Sequence, residues 1–254
     1  MCELFNFKNK NFAVYGLGLT GKSVVNFLKQ NKAKKIFTWD DHLNKSNEKL
    51  KDKFKKNLNS VDFIVMSPGI NINNSTFKKI LLKNNKKIIS DLDLFFLKNE
   101  VKKSIIITGT NGKSTTCSLI HHIFKKNNIQ SKLAGNIGHP ILNLKFLHNV
   151  IYIIEASSFQ LEYSKFIKPH CAAILNISKD HLDWHGSIKQ YTNSKIKIFN
   201  NQVKNDVAFL NDSNLKKLFL SKEFHAKLKF IKKNPINLRN FKNEYLRLEA
   251  NKQN

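Results

Sequence analysis

The sequence predicts an α/β chain of two units, each a parallel sheet whose strands alternate with helices. Three observations predict it. Short apolar runs of four to seven residues alternate with amphipathic, lysine-rich stretches along most of the chain. Two glycine-rich turns, Gly16-Leu17-Gly18-Leu19-Thr20-Gly21 and Gly109-Thr110-Asn111-Gly112-Lys113-Ser114, each follow an apolar run and open a helix. The strand-then-turn pattern starts afresh after the charged stretch Lys98 to Lys103, which places a boundary between residues 1–98 and 99–254.

In the first unit, Asn11 to Tyr15 reads as a strand and the first glycine turn leads into a helix from about Lys22 to Lys29. The next strand, Lys35 to Trp39, ends in Asp40 and Asp41. That is where a dinucleotide fold keeps its ribose-binding acid, so a Rossmann-like unit is expected. The turn is open to several readings: a nicotinamide or flavin cofactor, any phosphate-bearing or uridine-bearing ligand at a helix N-terminus, or a tight turn with no ligand. Asn44 to Asn59 is expected as a surface helix with a loop, and Val61 to Met66 as the third strand. Ser67-Pro68-Gly69-Ile70 follows at that strand's C-terminal end, where open α/β sheets bind ligands, although a plain connection reads the same way. Ser75 to Asn84 alternates as a helix, Lys87 to Ile89 is a short strand, and Ser90 to Phe96 carries a helix-start signal.

The second unit begins with Ser104 to Thr108, an apolar strand that runs into a phosphate-binding loop. Its glycines let backbone N–H groups turn inward on an anion, Lys113 offers a point charge to the terminal phosphates of a nucleotide, and the Ser114 hydroxyl suits a magnesium ion. The strict pattern separates the two glycines by four residues; here Thr110 and Asn111 alone stand between them. The following helix carries Cys117, Leu119, Ile120, Ile123 and Phe124, read together as its core face. Ser131 to Gly135 is a short strand ending at Asn136, and Val150 to Ile154 is a strand ending in Glu155. An acid there is where phosphate-loop folds keep a magnesium-directed carboxylate, with a solvated strand end as the alternative. Cys171 to Ile177 is another strand, followed by Ser178-Lys179-Asp180-His181-Leu182-Asp183, where His181 could ligate a metal or contact phosphate. In the helix Ile188 to Phe199, Tyr191, Lys195 and Phe199 share a face. A lysine beside aromatics loses hydration, its amine pKa falls, and the neutral amine becomes open to reaction with CO2. Asp206 to Leu210 and Asn214 to Leu220 give a last strand and helix, with lysine-rich segments at Ala226 to Ile231 and Glu244 to Leu248 beyond them.

Composition excludes more than it identifies. The chain has 254 residues, three widely spaced cysteines and a net charge of +26. No disulfide framework or paired zinc site is indicated, and no apolar run approaches the roughly 20 residues that span a bilayer. A cytoplasmic chain with no membrane partner is expected. All but two of the 44 basic residues are lysines, Arg239 and Arg247 being the exceptions. Readers of nucleic acid draw on arginine for its fork and its stacking, so the charge reads as a solvated surface with no nucleic-acid partner. From charge alone, a basic nucleic-acid-binding protein stays as a minor reading.

The ordered set of motifs resembles the Mur ligase family of ATP-dependent amide-forming enzymes of peptidoglycan precursor synthesis. The motifs are Gly109-Thr110-Asn111-Gly112-Lys113-Ser114, Gly135-Asn136-Ile137-Gly138, Glu155-Ala156-Ser157-Ser158-Phe159-Gln160-Leu161-Glu162 and Asp180-His181-Leu182-Asp183. The short glycine spacing is that family's own variant. The Ser-Ser-Phe-Gln-Leu-Glu run, with the first glycine turn upstream, is most similar to the branch that adds D-glutamate. The resemblance implies that Gly109 to Thr115 hold ATP, that Ser114 and Glu155 share one magnesium, and that His181 and a carbamylated Lys195 serve a second. It implies that Asn136 and His181 approach the substrate, and that Leu19, Thr20, Asp40, Ser67 and Gly69 border the uridine nucleotide, which replaces the dinucleotide reading. Lys113, His181 and Lys195 are the implied catalytic set. The implied reaction joins D-glutamate to UDP-N-acetylmuramoyl-L-alanine through an acyl phosphate, in a monomer. No general base is evident.

The family also carries a third, C-terminal domain and a late Gly-x-His-Asn motif that these 254 residues lack. The expectation is the N-terminal part of a ligase, completed by a separate C-terminal fragment or left as a non-catalytic binder of ATP and UDP-sugar.

Overall fold

The structure is a computed structural model that describes residues 5–43, 47–101, 103–136, 139–211 and 213–230. Ile137 and Gly138, Asn44, Lys102, Ile231, Arg239, Arg247 and the expected segment Glu244 to Leu248 lie outside the described residues. Contacts divide the chain into two units: residues 1–100 with 139–146 and 159–167, and residues 101–138, 147–158 and 168–254. Two later segments thus pack with the first unit, which no single cut in the chain could express.

The first unit holds strands β1 (Asn11–Tyr15), β2 (Lys35–Trp39), β3 (Phe63–Met66) and β4 (Ile88–Ile89) in the order β2-β1-β3-β4, all parallel. Between and after them run α1 (Leu19–Gln30), α2 (Glu48–Asn57), α3 (Lys78–Lys83) and α4 (Asp91–Lys98). Central β1 is apolar after Asn11 because both its faces are covered, and Phe12, Ala13, Val14 and Tyr15 are buried. Helix α1 starts at Leu19, inside the glycine motif and ahead of the expected Lys22, with the Lys22 N–H bonded to the Gly18 carbonyl at 2.9 Å. The turn is tight: a Cβ on Gly21 would lie 1.8 Å from the Gly16 carbonyl oxygen. Helix α3 starts three residues later than expected. Ser75 spends its side chain on a turn, its Oγ accepting the Phe77 N–H at 3.0 Å and meeting the Tyr15 hydroxyl at 2.9 Å.

Helix α4 opens with a capping box, Ser90 Oγ accepting the Asp93 N–H at 3.2 Å and Asp93 Oδ2 accepting the Ser90 N–H at 2.9 Å. The same buried Asp93 accepts the N–H groups of Lys165 and Phe166 at 2.9 and 2.7 Å. Its neighbour Asp91, also buried, accepts the Gln160 amide at 3.1 and 3.2 Å, and burial pushes its carboxyl up to about 6. These two acids fasten residues 160–166 into the first unit.

The second unit is a six-stranded sheet of β5 (Ser104–Thr108), β6 (Ser131–Gly135), β7 (Ile151–Glu155), β8 (Cys171–Ile174), β9 (Val207–Leu210) and β10 (Lys227–Phe230). The order is β10-β9-β8-β5-β7-β6, with every pairing parallel. Its helices are α5 (Lys113–Lys126), α6 (Ser158–Tyr163, which continues into the first unit), α7 (Leu182–His185), α8 (Ile188–Ile196) and α9 (Ser213–Ser221). Among the described residues no helix is long and apolar enough to cross a membrane.

The expected core face of α5 needs correction. Cys117, Ile120 and Phe124 pack on Ile107, Ile153, Ala173 and Leu175, but Leu119 and Ile123 are 40% and 53% exposed. At about 100° per residue the first three fall on one narrow stripe, and the other two point roughly 90° or more away from its centre. A helix lying on one sheet buries a single stripe.

Gly21→Ala should cost the first unit about 2 kcal/mol or more, because its methyl meets a backbone carbonyl that cannot step aside. A thermal or urea unfolding midpoint equal to that of the parent would refute this packing account.

Candidate functional site

Parallel register sets the frame of the second unit's site. Ile107 of β5 pairs with Glu155 of β7 and Ala173 of β8, while Gly135 of β6 also pairs with Glu155. The phosphate loop, Glu155, Asn136 and the segment after β8 therefore leave the same end of the sheet, the C-terminal end.

The loop breaks from β5 at Gly109 and enters α5 through Gly112, whose φ of 81° lies in the left-handed region. Helix α5 has no side-chain cap, so its first amides remain for an anion, with the helix dipole adding to the attraction. Lys113 Nζ donates to the Gly109 and Thr110 carbonyls at 2.9 and 2.8 Å. Burial lowers the pKa of this amine, opposed by the charges of Glu155 and Asp180. Thr115 is half-buried on the first turn and Asn111 is exposed.

Glu155 is buried and joins two loops. Ser114 Oγ donates to its Oε2 at 2.8 Å and Asn136 Nδ2 to its Oε1 at 3.0 Å. Lys195 lies wholly inside α8 at 1% exposure. Its Nζ donates to Gly109 O at 2.8 Å and Thr108 Oγ1 at 3.2 Å, and stands 4.6 Å from the centre of the Tyr191 ring. Burial, with the Lys113 charge beside it, pushes the amine down to about 7. Tyr191, Lys195 and Phe199 are all buried, as their spacing anticipated.

His181 occupies a left-handed position, φ 50°, at the start of α7, with its Nε2 3.5 Å from Asp180 Oδ2. Its ring stands 6.3 Å from that of Tyr191, whose hydroxyl meets Thr110 Oγ1 at 3.1 Å. The ring of buried His185 stands 5.2 Å from that of Tyr191 and shares a hydrogen bond with Ser158 Oγ at 3.0 Å. Burial and the nearby Lys195 push its imidazole down to about 4, so it is neutral near pH 7.

A hard divalent cation takes oxygen ligands and keeps phosphate oxygens and water for the rest of its shell. The Ser114 hydroxyl and Glu155 carboxylate at the loop's rim fit one such ion. Among the described residues no three His, Cys, Asp or Glu side chains form a metal cluster. Lys195 as an amine offers no anionic oxygen, so a second ion at Lys195 and His181 would need that lysine carbamylated.

Sequence reasoning missed Asn176. The apolar run predicts a strand over Cys171 to Ile177 with Asn176 inside it, whereas the strand ends at Ile174. The Asn176 side chain accepts the N–H groups of Thr110 and Asn111 at 3.1 and 2.8 Å and donates to the Asn111 carbonyl at 3.0 Å. A polar amide interrupting an apolar run was the one available signal.

In the first unit, Gly16, Asp40 and Ser67 each follow a residue of the paired row Trp39, Tyr15 and Met66. Asp40 Oδ2 accepts the Leu17 N–H at 2.7 Å and Oδ1 those of His42 and Leu43 at 2.9 and 3.1 Å. Partial burial would raise this carboxyl, but the three N–H groups outweigh it and hold the pKa low. Ser67 Oγ donates to the Gly16 carbonyl at 2.8 Å. Leu19 is 83% exposed, Thr20 is half-buried and Gly69 is exposed. A cavity of about 350 Å³ opens beside this turn, lined by Leu17, Lys22, Val25, Asn26, Thr38 and Leu43.

Residues 107–253 match the Mur ligase middle domain, and residues 10–90 match the Mur ligase MurD-like, N-terminal domain. The UDP-N-acetylmuramoylalanine--D-glutamate ligase of Wolbachia pipientis wMel is 41% identical over 209 residues, covering 78% of this chain and 40% of that protein. The enzyme of the same name from Rickettsia prowazekii (strain Madrid E) is 39% identical over 236 residues, covering 89% and 52%. The chain thus spans about half the length of these curated relatives. Among solved structures, the UDP-N-acetylmuramate:L-alanyl-gamma-D-glutamyl-meso-diaminopimelate ligase from Neisseria meningitides aligns at a TM-score of 0.50 and 15% identity, over 87% of this chain and 78% of that one. The ordered motifs, the two parallel sheets and these matches place the chain in the Mur ligase family.

Proposed function

We propose that the chain supplies the nucleotide and UDP-sugar sites of an ATP-dependent ligase that joins D-glutamate to UDP-N-acetylmuramoyl-L-alanine. The observation that carries this reading is the convergence of Lys113, Ser114, Glu155, Asn136 and Lys195 on one phosphate loop at the C-terminal end of a parallel sheet. The ~40% identity to proteins named for that reaction supports the choice of substrates.

In this reading the first unit holds the uridine nucleotide through Leu19, Thr20, Asp40, Ser67 and Gly69. Gly109 to Thr115 hold ATP. On nucleotide binding, Lys113 leaves the carbonyls of Gly109 and Thr110 for the β- and γ-phosphates. The substrate carboxylate, oriented by Asn136 and His181, takes the γ-phosphoryl group and becomes an acyl phosphate. The D-glutamate amine then forms the amide bond as phosphate leaves. Magnesium, two ions held at Ser114 with Glu155 and at His181 with a carbamylated Lys195, would neutralise charge developing on the transferred group. Carbamylation adds CO2 to the neutral Lys195 amine with loss of one proton. Tyr191 and the rest of α8 keep water from that amine. A separate C-terminal fragment would complete the amino-acid site, and the assembled unit would act in the cytoplasm.

Lys113→Ala should weaken ATP binding at least tenfold by titration calorimetry and leave affinity for UDP-N-acetylmuramoyl-L-alanine unchanged. Equal ATP affinity in the variant would overturn the loop assignment. Supplied with ATP, magnesium, both substrates and the C-terminal part of a D-glutamate-adding relative, the chain should release phosphate only when D-glutamate is present. Binding of both nucleotides without any such release would favour the non-catalytic reading.

Lys195 gives a pH test. Its folded pKa lies below the unfolded value of about 10.4, so between pH 7 and about 10 the unfolded chain binds a proton that the folded chain does not. Stability contributed at this site is therefore lowest below pH 7 and rises across that window. Urea unfolding at pH 7, 8 and 9 should show the parent gaining on Lys195→Met by on the order of 1 kcal/mol per pH unit. A constant difference between the two would mean the amine is not depressed.

A further inference from the structure

We propose that Asn176 is a positioning residue of the phosphate loop, its side-chain amide standing in for peptide units that the shortened glycine spacing leaves out. This role depends on that loop binding a nucleotide. A strict phosphate loop has four residues between its glycines and can wrap its own backbone around the anion; here Thr110 and Asn111 must make the turn alone. The missing partner comes from 65 residues later. The Asn176 side chain and the Asn111 peptide face each other as two amides in a ring, with Asn111 N–H donating to Oδ1 at 2.8 Å and Nδ2 donating to Asn111 O at 3.0 Å. The Thr110 N–H reaches both the carbonyl oxygen of Asn176 at 3.0 Å and its Oδ1 at 3.1 Å.

Neighbouring contacts extend this seam. The Leu175 N–H donates to the Thr108 carbonyl at 2.9 Å, and the Ser178 N–H to Thr110 Oγ1 at 3.0 Å. The segment after β8 therefore runs beside the loop, tied to it by these hydrogen bonds. Thr110 and Asn111 spend their N–H groups on Asn176, which leaves the uncapped amides of the first turn of α5 as the donors for phosphate. Asn176 acts through the loop and touches no phosphate itself. Of the twenty side chains, Asn alone offers this amide on so short a stem; Asp keeps the two acceptor contacts, loses the donor and adds a negative charge beside the anion.

Two measurements on the 254-residue chain test this. Amide hydrogen exchange by NMR, without nucleotide, should show Thr110 and Asn111 exchanging at least tenfold faster in Asn176→Ala than in the parent. Unchanged rates would overturn the proposal whatever the loop binds. Dissociation constants for Mg-ATP, Mg-ADP and AMP should then separate positioning from general damage. A displaced cradle weakens ATP most, by tenfold or more, ADP less and AMP least, whereas a uniform loss in a folded variant would refute the role. Asn176→Asp decides the matter should the alanine variant lose its cooperative unfolding transition: the carboxylate keeps both acceptor contacts, so Thr110 and Asn111 should stay as protected as in the parent, and exchange at least tenfold faster there would refute the proposal. A parent chain that binds no ATP overturns the nucleotide reading and, with it, the role assigned to Asn176.

Discussion

One carbonyl oxygen, that of Gly109, accepts hydrogen bonds from two lysines, Lys113 at 2.9 Å and Lys195 at 2.8 Å. Two ammonium ions on one oxygen repel strongly in a low-dielectric interior, and the loop's own backbone carries no formal charge to balance them. The strain falls on the more buried partner. Burial, with Thr108 Oγ1 and the Tyr191 ring about its amine, pushes Lys195 down to about 7, while Lys113, lowered by burial as well, has Glu155 to favour its charge. One cation and one amine that loses its proton near neutral pH share the same loop. A phosphate drawing Lys113 away would relax it.

That constraint works only because the sheet delivers its parts to one edge. Glu155 is register partner to both Ile107 and Gly135, so the carboxylate, the loop and Asn136 are placed by strand pairing before any side chain is chosen. The first unit uses the same device with a different outcome. The row Trp39, Tyr15 and Met66 is wholly buried, and the next residue on each strand is a turn former that bonds its neighbours. Paired strands of equal reach make the site a property of topology, and the side chains then tune it.

Much of this was legible in the sequence for physical reasons. Apolar runs between turns give the strands, because a parallel strand buried on both faces has no polar alternation to confuse it. Ser90 announces α4 because capping is local chemistry. The phosphate loop and Glu155 were visible because each sits where a strand stops. What stayed hidden depends on partners far along the chain. Nothing in Leu119 or Ile123 tells that β5 and β7 cover only the opposite stripe of α5. Asn176 looked like strand because periodicity cannot register an amide pairing with a loop 65 residues earlier. The Gln160 bond to Asp91 joins two motifs that sequence order keeps 69 residues apart.

The two adjacent acids after β2 show how structure narrows a motif that sequence left open. A carboxylate offers about four lone-pair sites. Three on Asp40 are taken by the N–H groups of Leu17, His42 and Leu43. Asp41 turns away, its oxygens holding the Tyr15 hydroxyl at 2.6 Å and the Trp39 indole at 2.8 Å. A dinucleotide enzyme needs an acid that grips ribose hydroxyls with free oxygens. Here the acid holds the glycine turn in shape, and the cavity beside that turn is lined by other side chains. That lining mixes apolar side chains, Leu17, Val25 and Leu43, with polar ones, Lys22, Asn26 and Thr38, and a glycine motif read by itself carries no information about such neighbours.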